Sequence, residues 1–177
     1  MKTTSKFPSG WYVMYTRPKN EKRVVNQLKP HLKTYLPLNK SLRQWSDRKK
    51  WIELPLFPSY VFVFINNSMD YHKALNAKGA CHYISFGGKA ARISEKEIQQ
   101  IKFFTSNFDN TEVVSDIEVG TTRTIKYGPF TGYDCKVINY KGKDSIIVEI
   151  ESLNRTIVAT MTKDFLAKTI SHAEKNS

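Results

Sequence analysis

The sequence predicts two domains: an α+β N-terminal domain, made of an antiparallel sheet with flanking helices, and a small all-β barrel after it. In the first part of the chain, apolar residues switch between the alternation of strands and the spacing of helices. Later, four short β-rich segments follow one another: TTRTIKY, CKVINY, DSIIVEI and TIVATM. The polar, acidic stretch SNFDNTEVVSD separates the two patterns. We therefore place the N-terminal domain at 8–107, a linker at 108–116 and the barrel at 117–169.

The first predicted elements are a strand and a helix. WYVMYTR at 11–17 alternates and is rich in β-formers, which predicts a strand. Pro18 follows, a residue suited to the first turn of a helix, and apolar residues then recur at helical spacing over 24–32. Because Pro30 lacks the backbone N–H of a helix interior, we expect the helix to end near Lys29.

Extended segments come next. The stretch TYLPLNKSLRQW, the polar turn SDRKK and the returning segment WIEL predict a basic hairpin over 40–54. LFPSYVFVFI at 56–65 is predicted as a strand, and a short helix is expected near 69–77. CHYISF at 81–86 is predicted as one further strand, closed by two glycines.

A second helix start is marked by a capping box. Ser94 and Glu97 have the S-x-x-E spacing in which a hydroxyl and a carboxylate each accept a backbone N–H of the other residue. Ile98, Ile101 and Phe104 then fall on one helical face. We expect this face to be buried.

The strand LFPSYVFVFI has two different faces. Side chains alternate across a strand, so Val61, Val63 and Ile65 point one way and the aromatic rings at 60, 62 and 64 point the other way. Two helices with apolar stripes are available to cover the aliphatic face, which we expect to be core. The aromatic face fits three roles: core, a platform on which bases stack, or an apolar groove that docks another protein.

The positive charge is concentrated in the first part of the chain. The formal net charge is +12, and residues 1–109 hold 19 Lys and Arg against 7 Asp and Glu. Residues 110–177 hold 9 of each and are neutral. Such a one-sided surplus indicates contact with a polyanion, whereas an even spread would indicate solubility alone.

Catalytic and metal-binding motifs are absent from the sequence. The two cysteines and four histidines are scattered without metal-ligand spacing. There is no G-x-S-x-G, no Walker loop and no H-E-x-x-H. We therefore expect no enzyme, no metal and no cofactor. No apolar stretch reaches the roughly 20 residues of a membrane helix, and the N-terminus lacks an apolar signal core, so we expect no membrane association and a cytoplasmic protein.

Two basic segments are candidates for nucleic-acid binding. Cations bind phosphates while aromatic rings stack on bases, and the hairpin segment RQWSDRKKW interleaves both kinds of side chain. Its cations are Arg43, Arg48, Lys49 and Lys50, and its rings are Trp45 and Trp51. The alternative is a solvated hairpin tip whose tryptophans pack back on the sheet. A second cluster lies where the first strand meets the first helix and contains Arg17, Lys19, Lys22 and Arg23.

Several motifs together resemble a known family. WYVMYTRPKNEK, LFPSYVFV and NAKGACHYISFGGKAARISEKEI resemble, in this order, the N-terminal (NGN) domain of NusG-type transcription elongation factors. VGTTRTIKYGPFTGYDCKV resembles the KOW motif that opens their C-terminal barrel. LRQWSDRKKW followed by PLFPSYVFV is most similar to the specialised RfaH-like and UpxY-like antiterminators, and the UpxY-like branch serves capsular polysaccharide operons.

The resemblance implies a mechanism. The N-terminal domain of such factors docks on the clamp helices of RNA polymerase through an apolar groove, bridges the cleft and suppresses pausing and termination. A second segment touches the opposite side of the cleft. Matching positions imply these polymerase-binding residues here: Tyr15, Phe57, Pro58, Tyr60, Phe62 and Phe86 in the groove, and Tyr71, His72 and Lys73 in the second segment.

The resemblance also implies nucleic-acid contacts. Specialised relatives read non-template DNA with residues at the first helix corner and near an N-A-x-x-G stretch, and nascent RNA is the other candidate ligand. The matching residues here are Arg17, Lys19, Arg23, Gln27, Asn76 and Lys78. The KOW pattern carries glycine where this chain has Cys135, which puts binding of Rho or a ribosomal protein in doubt. We expect a monomer.

Overall fold

The computed structural model describes residues 8–44, 46–108, 111–114, 123–124, 136–141 and 143–160. The chain divides into two compact units. One comprises the residues up to Leu38 together with Glu53–Ile98, and the other comprises Asn39–Ile52 together with the residues from Gln99 on. The hairpin and most of the third helix belong to the second unit.

The first unit is an antiparallel sheet with helices. Its sheet has the strand order β2-β5-β1-β6, and β9 also pairs with β1. The elements of this unit are β1 (Gly10–Thr16), α1 (Glu21–Leu28), β2 (Thr34–Tyr35), β5 (Tyr60–Ile65), α2 (Ser68–Leu75), β6 (Ala80–Tyr83), β7 (Ser85–Phe86), β8 (Lys89–Ala90) and β9 (Arg92–Ile93).

The pairing of β1 with β5 sets the two faces of this sheet. The register runs from Gly10 opposite Ile65 to Tyr15 opposite Tyr60. On one face, Val61, Val63 and Ile65 are fully buried in a cluster with residues of α1 and α2. The prediction that this aliphatic face is core is therefore confirmed.

Helix α1 ends as predicted but begins later. Lys29 donates its backbone N–H to the carbonyl of Val25, and the helix stops at Leu28, just before Pro30. The start lies at Glu21, because the residues before it form a turn. In that turn Asn20 donates to the carbonyl of Arg17 at 3.1 Å, and Lys19 has a positive φ of 63°.

Helix α2 confirms the short helix expected near 69–77. Its N-cap is Asn67, whose side chain accepts a hydrogen bond from the backbone N–H of Asp70 at 2.9 Å. Such a cap satisfies one of the free donors at a helix start. Ala74 is fully buried and faces the core cluster of the sheet.

The segment predicted as one strand at 81–86 forms two strands instead. Strand β6 pairs with β1, whereas β7 pairs with β8 in a separate two-stranded sheet. Gly87 and Gly88 connect β7 and β8 with φ values of 57° and 75°. Two consecutive positive φ values are typical of the tight hairpin turn that glycine favours. The chain therefore leaves β1 after Ile84, whose N–H still donates to the carbonyl of Val13 at 2.8 Å.

The capping box opens α3 (Glu95–Asn107) as predicted. The Ser94 Oγ accepts the backbone N–H of Glu97 at 3.2 Å, and the Glu97 carboxylate accepts the backbone N–H of Ser94 at 2.9 Å. Ile98, Ile101 and Phe104 are fully buried. The prediction of one apolar face on this helix is confirmed.

The second unit contains the basic hairpin and a five-stranded antiparallel sheet, with strand order β10-β14-β13-β12-β11. Its elements are β3 (Leu38–Gln44), β4 (Lys49–Pro55), β10 (Glu112–Val114), β11 (Arg123–Thr124), β12 (Lys136–Tyr140), β13 (Lys143–Ile150), the 3₁₀ helix Glu151–Leu153 and β14 (Arg155–Thr160). Within the described residues, no pairing between β10 and β11 closes this sheet into a barrel. The GPFTG turn and Cys135 lie outside the described residues.

Part of the predicted linker is a strand. Residues 112–114 pair with β14 in the second sheet, in a register with Val113 opposite Ile157. Before this strand, the Asn39 side-chain amide donates to the carbonyl of Thr111 at 2.6 Å, and its oxygen accepts the Thr111 N–H at 3.3 Å. Two consecutive valines with a β-branched threonine before them explain the strand. The polar character of the surrounding stretch did not indicate this strand.

Candidate functional site

Four rings form a row across three strands of the first sheet. Tyr15 lies opposite Tyr60 on β5 and opposite His82 on β6. The His82 ring stacks on Tyr15 at 5.2 Å between centroids, and Tyr60 meets Tyr15 edge to face at 6.2 Å. The Phe57 ring lies parallel to Tyr60 at 6.4 Å. We call His82, Tyr15, Tyr60 and Phe57 the aromatic row.

The aromatic row is exposed at one end and buried at the other. His82 is exposed, Tyr15 and Tyr60 are half-buried, and Phe57 is buried. Pro58, next to Phe57, is exposed. Partly exposed rings held on paired strands form a rigid apolar surface with hydroxyl groups at its rim, which suits contact with another macromolecule.

Phe62 does not belong to this surface. The side chain is fully buried, with the ring of Phe57 packed edge to face at 5.8 Å and the ring of Tyr35 at 6.0 Å. The expectation that Phe62 lines an open groove was wrong, because these two rings cover it. The half-buried Phe64 packs edge to face on Trp11 at 5.5 Å, and the Lys33 ammonium lies over it at 5.6 Å from the ring centroid.

A tight turn holds the buried end of the aromatic row. The Tyr60 N–H donates to the carbonyl of Phe57 at 3.1 Å, and Ser59 between them has φ = 64°. Proline at the second position and a positive φ at the third are features of a type II turn. The Ser59 N–H donates to the carboxylate of Glu21 at 2.8 Å. Thus α1 holds the turn that carries the row.

The second predicted polymerase contact, residues 71–73 on α2, contains one half-buried residue and two exposed ones. The Tyr71 ring stacks on Tyr83 at 4.1 Å and meets Tyr12 edge to face at 5.8 Å. His72 and Lys73 are exposed on α2. Tyr71 therefore packs mainly against Tyr83 and Tyr12. The exposed surface of α2 is formed by its neighbours His72 and Lys73.

Two further exposed side chains extend the surface of the first unit. Met69, three residues before His72 on α2, is 77% exposed. Phe86, named in the sequence prediction, is 54% exposed beside the Gly87-Gly88 turn. Phe86 pairs with Lys89 in the small two-stranded hairpin, which is not part of the sheet that carries the aromatic row.

The predicted basic residues of the helix corner are brought together. The Arg17 N–H donates to the carbonyl of Gly79 at 2.8 Å, which joins the end of β1 to the N-A-x-x-G stretch. The Gln27 amide donates to the Lys78 carbonyl at 3.2 Å and accepts the Lys78 N–H at 3.0 Å. The exposed cations of this basic corner are Arg17, Lys19, Lys22, Arg23 and Lys78.

Glycine is required where the two segments of the basic corner meet. Gly79 has φ = 106°, and a Cβ there would lie 2.9 Å from the Cβ of Asn20. A side chain at position 79 would therefore push the N-A-x-x-G stretch away from Asn20 and the start of α1. Asn76, the C-cap of α2, is exposed nearby in sequence. The two bonds of Gln27 to the Lys78 backbone hold the N-A-x-x-G stretch against α1.

The predicted hairpin residues are exposed wherever the structure describes them. Arg48, Lys49 and Lys50 are exposed, and Trp51 is 55% exposed. Trp51 thus does not pack back on a sheet, which was the alternative for this ring. Arg43 lies on β3, and its side chain is outside the described part of the chain, as is all of Trp45.

Sequence reasoning missed Glu21 and His82. Glu21 begins a helix, where an acidic residue usually only complements the helix dipole, and nothing in its position indicates a bond to Ser59. His82 alternates with the buried Tyr83 on β6, a pattern that could have placed its ring on the same face as Tyr15. The register of β6 against β1 was the missing information.

The described residues hold neither a metal-binding cluster nor a membrane-spanning helix. Within the described ranges, no three His, Cys, Asp or Glu side chains are grouped so that they could hold a metal ion. No helix among the described segments has the length and apolar character needed to cross a membrane.

Comparison with known proteins gives consistent results. The NusG family model, described as transcription termination factor nusG, matches residues 9–102, more than half of the chain. The transcription termination/antitermination protein NusG of Lactococcus lactis subsp. lactis (strain IL1403) is 24% identical over 163 residues, which cover 84% of this chain and 87% of that protein. A structure concerned with domain interaction in Thermotoga maritima NusG aligns with a TM-score of 0.52 at 17% identity, over 88% of this chain and 98% of that chain. This last likeness supports the α+β fold of the N-terminal unit.

Replacing Phe62 tests its assignment to the core. Phe62→Ala should lower the free energy of unfolding by about 3–5 kcal/mol, because it leaves a cavity under two packed rings. Phe86→Ala removes the same atoms from an exposed site and should change stability by no more than about 0.5 kcal/mol. Urea denaturation of both variants measures the difference. Equal effects would contradict the burial of Phe62.

The tyrosine cluster predicts a loss of stability in alkali. Burial raises the pKa of Tyr83 well above its ordinary value of 10.0, and the neighbouring Tyr71, Tyr12 and Asp70 add to this. The unfolded chain releases this proton near pH 10 while the folded chain keeps it, so stability is complete below pH 10 and falls as the pH rises further. The slope should be about 1.4 kcal/mol per pH unit for this group.

Tyr83→Phe is the matched variant for that measurement. It removes the ionisable hydroxyl, together with its hydrogen bond to the Tyr71 carbonyl at 2.9 Å. Stability should be lower at neutral pH but should decline less steeply above pH 10, as followed by urea midpoints at several pH values. An unchanged alkaline slope would show that Tyr83 is not the group responsible.

Proposed function

The chain belongs to the NusG family of transcription termination factors, and from this premise we propose that it is an elongation and antitermination factor that docks on RNA polymerase. Its N-terminal unit binds the clamp helices, bridges the cleft and suppresses pausing and termination. The aromatic row is the observation that carries this proposal, because its rings lie together on paired strands and three of them remain at least partly exposed.

The spacing of the aromatic row fits a helical partner. Successive ring centroids are 5.2, 6.2 and 6.4 Å apart, close to the ~5.4 Å pitch of an α-helix. A helix laid along the row would therefore meet His82, Tyr15 and Tyr60 on successive turns, while the buried Phe57 packs against Tyr60. Tyrosine is also a frequent anchor at interfaces, since it buries a large rigid area and keeps a polar group at the rim.

A second polymerase contact is proposed on α2. His72 and Lys73 are exposed there, and Met69 lies on the same exposed side, one turn before. This surface would touch the opposite side of the polymerase cleft. Phe86 would add an apolar contact from its own small hairpin. Tyr71 supports α2 from inside by stacking on Tyr83.

Nucleic-acid binding is proposed for the basic corner and for the basic hairpin. In the corner, exposed cations surround a junction that Gln27 and Gly79 hold in place, which suits phosphate contacts. In the hairpin, Trp51 stands exposed beside three cations, which suits stacking on an unpaired base. Non-template DNA is the proposed ligand, with nascent RNA as the other candidate.

The finer assignment is to the specialised RfaH-like and UpxY-like branch, at capsular or surface polysaccharide operons. The well-formed basic hairpin of β3 and β4 supports it. We also propose a KOW-type barrel at 117–169 that binds Rho, a ribosomal protein or neither. The factor would act in the cytoplasm as a monomer, without enzymatic activity and without a cofactor.

A general NusG-like elongation factor is the second candidate. The similarity to the Lactococcus lactis termination/antitermination protein extends over 84% of this chain, which favours this reading. A ribosome-associated RNA-binding protein is the third, favoured by the exposed ring of Trp51. Crosslinking in cells separates them. Crosslinks to polymerase at a few operons would indicate the specialised factor. Crosslinks to polymerase at most genes would indicate the general factor, and crosslinks to ribosomal RNA would indicate the ribosome-associated protein.

Tyr60→Ala tests the docking surface. Removing a half-exposed anchor from the row should weaken binding to nucleic-acid-free core polymerase by about 30-fold, the loss expected for an interface anchor of about 2 kcal/mol. Trp51→Ala is the matched control, since it removes another exposed ring outside the row. Fluorescence anisotropy of the labelled chain measures both. Equal affinities for Tyr60→Ala and the unmodified protein would reject the docking claim.

Salt dependence tests the basic corner. Binding to a single-stranded DNA oligonucleotide should weaken with salt, and the double variant Arg17→Gln/Arg23→Gln should flatten the plot of log K against log salt by about 0.7 per lost phosphate contact. Lys143→Gln, an exposed cation on β13, should leave the slope unchanged. A double variant with the original slope would mean that the corner does not bind phosphates.

A further inference from the structure

A buried carboxylate lies between the two proposed binding surfaces of the first unit. Glu21 is the first residue of α1, and its side chain is only 5% exposed. Its Oε1 accepts the backbone N–H of Ser59 at 2.8 Å. A carboxylate is costly to remove from water unless hydrogen bonds and favourable charges compensate it, and the start of a helix supplies part of that compensation.

Glu21 binds the strained residue of the turn Phe57–Tyr60, which we call the docking turn because it carries one end of the aromatic row. Ser59 is buried and has φ = 64°, a conformation that residues with a Cβ seldom adopt. Its N–H is held by Glu21, and its carbonyl accepts both the N–H of Thr16 at 2.8 Å and the Thr16 hydroxyl at 3.3 Å. Both sides of Ser59 are thus tied, one to α1 and the other to β1.

The position of Ser59 decides where the rings of the row stand. Phe57 and Tyr60 flank it in the turn, and their rings lie parallel, with 6° between the planes. If Ser59 relaxed to a negative φ, the two rings would separate and the buried end of the row would open. The charge of Glu21 makes its hydrogen bond stronger than one between neutral groups.

We propose that Glu21 is a positioning residue that fixes the docking turn to the basic corner, an inference that rests on the proposed function of both surfaces. The carboxylate holds Ser59 in its left-handed conformation and thereby sets the row. The same helix carries Arg23 and also Gln27, which holds the Lys78 backbone. Helix α1 and its buried carboxylate therefore keep the polymerase-docking surface and the nucleic-acid-binding corner at a constant distance from each other.

Affinity for core RNA polymerase tests this role in the full chain. Glu21→Ala should weaken binding about tenfold, the factor that corresponds to loss of a charge-assisted hydrogen bond. Glu21→Gln keeps an oxygen acceptor for Ser59 and should retain most of the affinity. Asn26→Ala, at an exposed position of α1, is the control and should change nothing. All variants are compared at a temperature at which circular dichroism shows them folded.

Ser59→Gly separates positioning from general stabilisation. Glycine adopts a positive φ without a steric penalty, so the turn no longer depends on the carboxylate. In this background, Glu21→Ala should cause a clearly smaller loss of affinity than in the unmodified chain. The inference is overturned if Glu21→Ala lowers only the unfolding midpoint, or if its loss of affinity is the same in both backgrounds.

A direct measurement distinguishes failure of this inference from failure of the proposed function. If the unmodified chain binds no polymerase, the proposed function fails, and Glu21 is then judged by nuclear Overhauser contacts between the rings of Phe57 and Tyr60. These contacts should be present in the unmodified chain and in Glu21→Gln, and lost in Glu21→Ala. Their persistence in Glu21→Ala would overturn the positioning role.

Discussion

The antiparallel pairing of β1 with β5 is the constraint on which the rest of the first unit depends. Its register places Tyr12 opposite Val63 and Met14 opposite Val61 on one face. A shift by one residue would turn every side chain of β5 to the other face. The aliphatic face would then lose its cover of helices, and the aromatic row could not form. Folding and the candidate site thus rest on the same pairing.

The aromatic face of the sheet is only partly buried. Phe57 and Phe62, whose rings carry no polar atom, are buried, whereas Tyr15, Tyr60 and His82 keep contact with solvent. The hydroxyl and imidazole groups reduce the cost of exposing these rings to water while leaving a large area for a partner. The face therefore combines core with the binding surface that we propose, two roles that the sequence presented as alternatives.

The sequence was sufficient for most elements and for the grouping of the basic corner. Hydrophobic periodicity found α1 and β5, and the capping box at Ser94 placed the start of α3, because these signals are local. Phe62 was misplaced because its cover comes from Tyr35 and Phe57, whose approach depends on tertiary contacts. The break after Ile84 and the strand at 112–114 were missed for the same reason: strand pairing is not local.

The role of Glu21 could not be read from the sequence either. Its bond to Ser59 joins residues 38 positions apart, and the positive φ of Ser59 has no sequence signal, since glycine would be the usual residue there. The structure adds a physical link between two surfaces that the sequence suggested separately. In our proposal, helix α1 holds the docking turn through its buried first residue, Glu21, and presents part of the basic corner on its exposed side.

A cryo-EM structure of the full chain bound to a transcribing RNA polymerase tests the central claim most directly. The account predicts that a polymerase helix lies along the aromatic row, in contact with Tyr15 and Tyr60, while the basic corner faces nucleic acid. A complex in which these two rings face solvent, with the chain attached through another surface, would contradict it.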